Sequence, residues 1–168
     1  KRFHAIYVGM IELDNIGIDG TPANERRYPN ERLGEVFFTA RRIARAMDET
    51  GYHALWSAEH HFQREGTECL PNVLLMALHL AHVTTNLKIG CGFNIAPMWH
   101  PLRLAEDYAM ADIVTGGRLT VGLGIGWLTN EYAAAGVPFE RRGERFDEYL
   151  RCLEALWTDD PVDFAGDF

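Results

Sequence analysis

His53-Ala54-Leu55-Trp56-Ser57-Ala58 is a short apolar run that passes directly into Glu59-His60-His61-Phe62. A run of this length, closed by polar residues, reads as a buried strand whose end opens onto solvent. Outward from it the same alternation repeats. Phe3 to Met10 reads as an earlier strand, followed by a polar stretch holding Gly17, Gly20, Pro22 and Pro29. Then Val36, Phe37, Ile43, Ala44 and Met47 recur near the helical period and stop at Gly51, a C-terminal cap. Downstream, Pro71-Asn72 opens a helix carrying Leu74, Leu75, Leu78 and Ala81, and Leu87 to Phe93 forms a third strand. His100-Pro101 opens a third helix with Leu104, Ala105, Tyr108, Ala111 and Ile113 on its buried side, ended by Gly116-Gly117. Leu119 to Gly124 is a fourth strand; after a loop, Phe146, Tyr149, Leu150, Leu153 and Leu156 mark a fourth helix.

Four consecutive strand–helix units predict an α/β protein with a parallel sheet and helices outside it. On alternation alone, a doubly wound open sheet and half of an eight-fold barrel are both open. A four-stranded parallel sheet leaves an edge and a face uncovered. The chain also begins without Met and stops at Asp167-Phe168, so both ends read as cut.

Composition narrows the function classes. The 168 residues are 47% hydrophobic and 24% charged, the balance of a soluble globular protein. The formal charge, 16 − 24 = −8, weighs against nucleic acid or an anionic membrane as the main partner, because phosphates are repelled. No apolar run approaches the roughly 20 residues that span a bilayer, and no signal-peptide core is present, so a cytoplasmic protein is expected. Cys69, Cys91 and Cys152 are odd in number and far apart, which suggests free thiols rather than a disulfide framework or a zinc ribbon. His79 and His82 stand at i, i+3 but are interleaved with Leu78, Leu80 and Ala81. Neither His-Glu-x-x-His nor His-x-His occurs, so no metal site is expected.

The chemistry concentrates at strand ends. In parallel α/β sheets the carboxyl ends of strands carry the functional loops, and Glu59-His60-His61-Phe62 stands at one. Alternation puts Glu59 and His61 on one face and His60 on the other. An imidazole there can exchange a proton near neutral pH while an adjacent carboxylate fixes its tautomer. The same side chains can equally serve to satisfy backbone groups around the mouth of the sheet. Gly122-Leu123-Gly124-Ile125-Gly126 follows a strand, but its spacing lacks the third glycine of G-x-G-x-x-G, and Trp127-Leu128-Thr129-Asn130-Glu131 intervenes before any helix. Its glycines suit either close approach to a planar ligand or tight packing. Gly90-Cys91-Gly92-Phe93-Asn94 has small residues against which a flat ring can lie, with Asn94 placed to hydrogen-bond the ring's polar edge. Arg103, Glu106 and Asp107 read as a polar helix cluster, and Asp112 with Arg118 as a structural ion pair.

Taken together, Trp56-x-x-Glu59-His60-His61-Phe62, Leu87-Lys88-Ile89-Gly90, Pro97-x-x-His100-Pro101-x-Arg103-x-Ala105-Glu106-Asp107, Asp112, Gly117-Arg118-Leu119 and Gly122-x-Gly124-x-Gly126-Trp127 resemble the bacterial luciferase-like family of flavin-dependent monooxygenases. These blocks run in the family's order over most of residues 53 to 127; Arg142-Gly143-x-Arg145-Phe146-x-Glu148 is compatible and less diagnostic. The resemblance implies a TIM (β/α)8 barrel, of which residues 1–168 are the N-terminal half with about the first four βα units. It implies reduced FMN, supplied by a separate flavin reductase, and O2, which through a 4a-peroxyflavin oxygenate a small organic substrate. His60 falls on the family's catalytic histidine, and Glu59 and His61 would orient it or line the same pocket. Gly92, Phe93, Asn94, Gly124 and Trp127 would contact the flavin, with a non-proline cis peptide expected at Gly92–Phe93. A homo-oligomer, a dimer by default, is expected. One departure stands out: luciferase has a Cys-Arg pair where this chain has Gly124-Ile125, so a cationic flavin contact is missing there. The alternatives are an oxidoreductase of the same fold using a deazaflavin coenzyme, and a non-catalytic partner subunit or half-barrel fragment.

Overall fold

The computed structural model describes residues 1–11, 30–62 and 69–168. The polar stretch with Gly17, Gly20, Pro22 and Pro29 lies outside them. The elements run β1 (His4–Tyr7), α1 (Gly34–Glu49), β2 (Ala54–Ser57), α2 (Val73–Ala81), β3 (Lys88–Cys91), β4 (Asn94–Ile95) and α3 (Pro101–Thr115). They continue with β5 (Leu119–Thr120), β6 (Leu123–Gly124), α4 (Thr129–Ala135) and α5 (Arg142–Thr158).

β1, β2, β3 and β5 form one parallel sheet in that order. The register sets Ala5, Leu55, Ile89 and Leu119 in a row across it, and Ile6, Trp56, Gly90 and Thr120 in the next. Period-two alternation sends these rows to opposite faces. The first row packs against Val36, Ala40 and Ala44 of α1, Met76 and Leu80 of α2, and Leu104 and Tyr108 of α3. Each large side chain enclosed there contributes about 1.5–3 kcal/mol. The second row faces what would be a barrel interior. Its Trp56 indole lies across Gly90, where a Cβ would come within 2.1 Å of the ring. The indole Nε1 donates to His4 Nδ1 at 3.1 Å.

The ends of the helices follow the sequence signals. Asn72 caps α2, its Oδ1 accepting from the Leu75 N–H at 2.9 Å. Pro101 opens α3, and Gly116 closes it in the left-handed conformation with φ 67°. At the amino end of the sheet, Asp48 accepts the N–H groups of Thr85, Asn86 and Leu87 at 2.7, 2.9 and 2.7 Å. Partial burial pushes this carboxyl up, but the three N–H groups outweigh it and hold it below the ordinary aspartate value.

Four expectations are corrected. Ile113, read on the buried side of α3, is 80% exposed, because two positions on from Ala111 turns it to the opposite face of the helix. The fourth strand is two short pieces: β5 pairs with β3, whereas β6 pairs with β4 in a separate two-stranded sheet. The break falls at Gly122, where a Cβ would stand 1.9 Å from the Cys91 carbonyl oxygen; the backbones touch, and only glycine fits. The segment read as a loop before the fourth helix contains α4. Arg118 does not pair with Asp112. Its guanidinium donates to the carbonyls of Thr115, Leu87 and Ala81 and to the Thr84 hydroxyl, tying the ends of α2 and α3 together.

Candidate active site

β2 runs out at Ser57 and the chain continues across the carboxyl edge of the sheet, where the Glu59 N–H donates to Phe93 O at 3.1 Å and the His60 N–H to Leu70 O at 3.0 Å. These bonds fix a turn that buries the Glu59 side chain to 2% exposure. Its carboxylate is nearly saturated. Oε2 accepts from the Ile95 N–H at 2.6 Å and from the Asn94 amide, and Oε1 accepts from Trp99 Nε1 at 3.1 Å. His61 Nε2 stands 3.0 Å from Oε1. The hydrogen bond to Glu59 raises the His61 pKa above its ordinary value; burial opposes this, and the charges of Glu59 and Glu131 reinforce it. Glu59 thus joins the end of β2 to β4 and to Trp99 through one buried group.

Beside it opens a cleft of about 450 Å³. Of the residues singled out from sequence, Glu59, His60, Gly92, Phe93, Gly124 and Trp127 line it. Phe93 and Trp127 are 61% and 69% exposed, unusual for large aromatic side chains, and the peptide bond Gly92–Phe93 is cis. Asn94 and His61 do not line the cleft. Asn94 is fully enclosed, with its amide N–H committed to Glu59 and its Oδ1 without a partner among the described residues, so it sits behind the cleft wall. His61 turns to Glu59 instead, while Glu59 and His60, which alternation would part, line the same cleft.

Two charged wall residues were not singled out from sequence. Glu131, on α4, is 2% exposed and accepts the His61 N–H through Oε1 at 2.8 Å. Arg142, the first residue of α5, lies over the Phe139 ring with 3.8 Å from guanidinium carbon to centroid. Its buried Nε has no hydrogen-bond partner among the described residues. A cation therefore reaches the cleft from a helix, although the Gly124-Ile125 positions supply none. Tyr132 secures the intervening glycine turn by donating its hydroxyl to Ile125 O.

Other reactive groups are ill placed for chemistry. The Cys91 thiol is buried in the helix-side core, and burial pushes it up to about 11, so it is not a thiolate nucleophile at neutral pH. A second cleft of about 450 Å³ lies on the inner sheet face between His4, Ile6, Trp56 and Phe93. Its lining is almost wholly apolar, as the packed core of a closed barrel requires. Among the described residues no group of His, Cys, Asp and Glu side chains is arranged to hold a metal, and no helix is long and apolar enough to cross a membrane.

Residues 19–168 match the family model described as luciferase-like monooxygenase. The chain belongs to the luciferase-like monooxygenase family. It is 34% identical over 128 residues to the oxygenase component of the flavin-dependent trigonelline monooxygenase of Acinetobacter baylyi, covering 75% of this chain and 35% of that protein. It is 29% identical over 131 residues to the FMNH2-dependent dimethylsulfone monooxygenase of Pseudomonas putida, covering 76% of this chain and 36% of that protein. Among solved structures, the monooxygenase RslO1 from Streptomyces bottropensis superposes with a TM-score of 0.79 at 27% identity, over 99% of this chain and 46% of that one. The oxygenating constituent of the Pseudomonas putida 3,6-diketocamphane monooxygenase, solved with FMN, superposes with a TM-score of 0.78 at 20% identity, over 99% of this chain and 42% of that one. The chain thus spans about a third of the length of these curated relatives and under half of the solved neighbours. Its four strand–helix units are part of a luciferase-like TIM barrel.

Proposed function

We propose that the protein these residues belong to is a flavin-dependent monooxygenase, which takes reduced FMN from a separate reductase and oxygenates a small organic substrate with O2. Residues 1–168 form the N-terminal half of its single (βα)8 barrel domain. The observation that carries this reading is the cleft at the strand ends, which His60 lines together with the exposed aromatic rings of Phe93 and Trp127. The named activities of the trigonelline and dimethylsulfone relatives support it.

The residues present fit the cofactor. The exposed faces of Phe93 and Trp127 give a flat ring a surface to lie against, and the Arg142 Nε is a buried donor still in need of an acceptor, suited to a polar atom on the cofactor's ring edge. When bound, FMN supplies the transfer of one oxygen atom of O2 to the substrate, the other leaving as water. Phe93 and Trp127 exclude water from the ring face. A ring nitrogen of His60 gives or takes the proton that oxygen transfer requires. Glu59 and His61 hold the segment that carries His60 rather than acting on the substrate.

A dimer suits the outer surface: Leu102, Met110, Ile113 and Val114 lie exposed on α3, spaced to make one apolar stripe that a second copy would cover. Light scattering on the full-length protein tests this. Cysteines outside any disulfide among the described residues suit a reducing cytoplasm.

The decisive experiment is anaerobic titration of reduced FMN into the full-length protein, followed by rapid mixing with O2. Bound flavin is expected to reoxidise more slowly than free flavin. His60→Ala is expected to lower oxygenation roughly 100- to 10,000-fold, the range for losing a general acid–base group, with flavin still bound. Failure to bind reduced FMN, or tight binding of a deazaflavin coenzyme in its place, overturns the assignment.

A further inference from the structure

The two glutamates of the cleft are equally buried but differently used. Glu59 has acceptors committed to the Asn94 amide, the Ile95 N–H, Trp99 Nε1 and His61. An ionised carboxylate offers about four acceptor sites, so Glu59 has little left to offer a ligand. Glu131 receives one protein donor, the His61 N–H on Oε1. No ion pair joins it to Arg142 or to any other cation among the described residues, although both line the same cleft. A carboxylate at 2% exposure that receives one protein donor keeps acceptor capacity to spare. The cleft is the side from which a further donor can come.

We infer that Glu131 is a ligand-recognition residue whose free acceptor capacity reads a ring N–H, the imide N3–H of the flavin bound in the cleft. The inference rests on the FMN reading above and extends it to one atom. The pyrimidine edge of a flavin presents a single N–H between two carbonyl oxygens. A carboxylate and a guanidinium on one wall supply the acceptor and donor types that such an edge needs. Glu131 also holds the His61 backbone, so recognition of the ring edge and placement of the Glu59-His60-His61 segment share one side chain. Glu59, although the sequence places it in the motif, is the structural partner of the two.

Methylation of the ligand separates recognition from mere structure. The full-length protein is titrated anaerobically with reduced FMN and with reduced 3-methyl-FMN, which lacks the N3 hydrogen, and both titrations are repeated with Glu131→Gln. Gln keeps the shape and one oxygen for the His61 N–H. The wild-type protein is expected to prefer FMN by roughly 10- to 100-fold, the effect of a hydrogen bond to a charged group, and the variant to show less than about a third of that ratio. Equal affinity of the wild type for the two flavins overturns the inference while leaving the FMN site standing. An undiminished preference in Glu131→Gln overturns it too, assigning the N–H to another acceptor. So does a variant with unchanged flavin affinities and a raised KM for the organic substrate, which assigns the carboxylate to substrate. A wild-type protein that binds neither flavin overturns the cofactor reading and this inference together.

Discussion

Asp48 and Glu59 are the same device at opposite ends of the sheet. Each is a carboxylate that gathers several N–H donors, Asp48 from the turn at residues 85–87 and Glu59 from β4, Trp99 and the Asn94 amide. The difference is water. Thr85 and Asn86 are exposed, so solvent can replace Asp48 at two of its three donors, whereas Asn94 and Ile95 beside Glu59 are buried and water cannot reach them. In barrels of this kind the amino-terminal face carries stability and the carboxyl-terminal face carries chemistry. The one device therefore anchors a turn below and shapes a cleft above.

The largest effect is expected from Glu59→Ala. It strands Trp99 Nε1, the Ile95 N–H and the Asn94 amide without an acceptor, at a cost of about 3–5 kcal/mol. Denaturant titration should register that loss together with loss of reduced-FMN binding; a stable variant with normal binding would dissolve the contrast. Asp48→Ala is expected to cost less, about 1–2 kcal/mol, with flavin affinity unchanged, read from melting and binding on the same preparation.

Acid sharpens the comparison further. Because the Asp48 carboxyl lies below its ordinary value when folded, its contribution is present above the unfolded value of about 3.9 and is lost as pH falls through the folded one. Asp48→Asn should therefore flatten the acid limb of the stability curve. His61 runs the other way and is the smallest effect. Its folded pKa is raised, so its bond to Glu59 contributes fully below about 6.5 and is lost as pH rises through the folded value. A stability profile from pH 6 to 9 should fall more steeply for the wild type than for His61→Gln.

The helical core and the four-unit order were legible in the sequence because period-two and near-3.6 patterns are long there, and Asn72, Pro101 and Gly116 mark helix ends by local chemistry. The interrupted strands were not legible. What stops β5 before Gly122 is the Cys91 carbonyl of another strand, a contact that no local pattern encodes. The seven-residue α4 is too short to show a period, so Glu131 passed as part of a loop. Arg142 was quoted only within a block compatible with the family pattern, since a helix start gives no hint that it lines a cleft with residues as distant as Ala58 and Trp127. The enclosure of Asn94 was not legible either: beyond Cys91 the chain leaves β3 and pairs with β6, a change of partner that no local pattern marks.

The indole lying across Gly90 has a consequence for the history of such a chain. A methyl group gained at residue 90 has no room unless residue 56 shrinks, because the ring already occupies that place. Residues 56 and 90, on neighbouring strands, therefore behave as one two-letter word. Chains descended from a common ancestor are expected to spell it with a large residue followed by glycine or to rewrite both letters, and a lineage passing through the half-edited form must tolerate a displaced strand on the way.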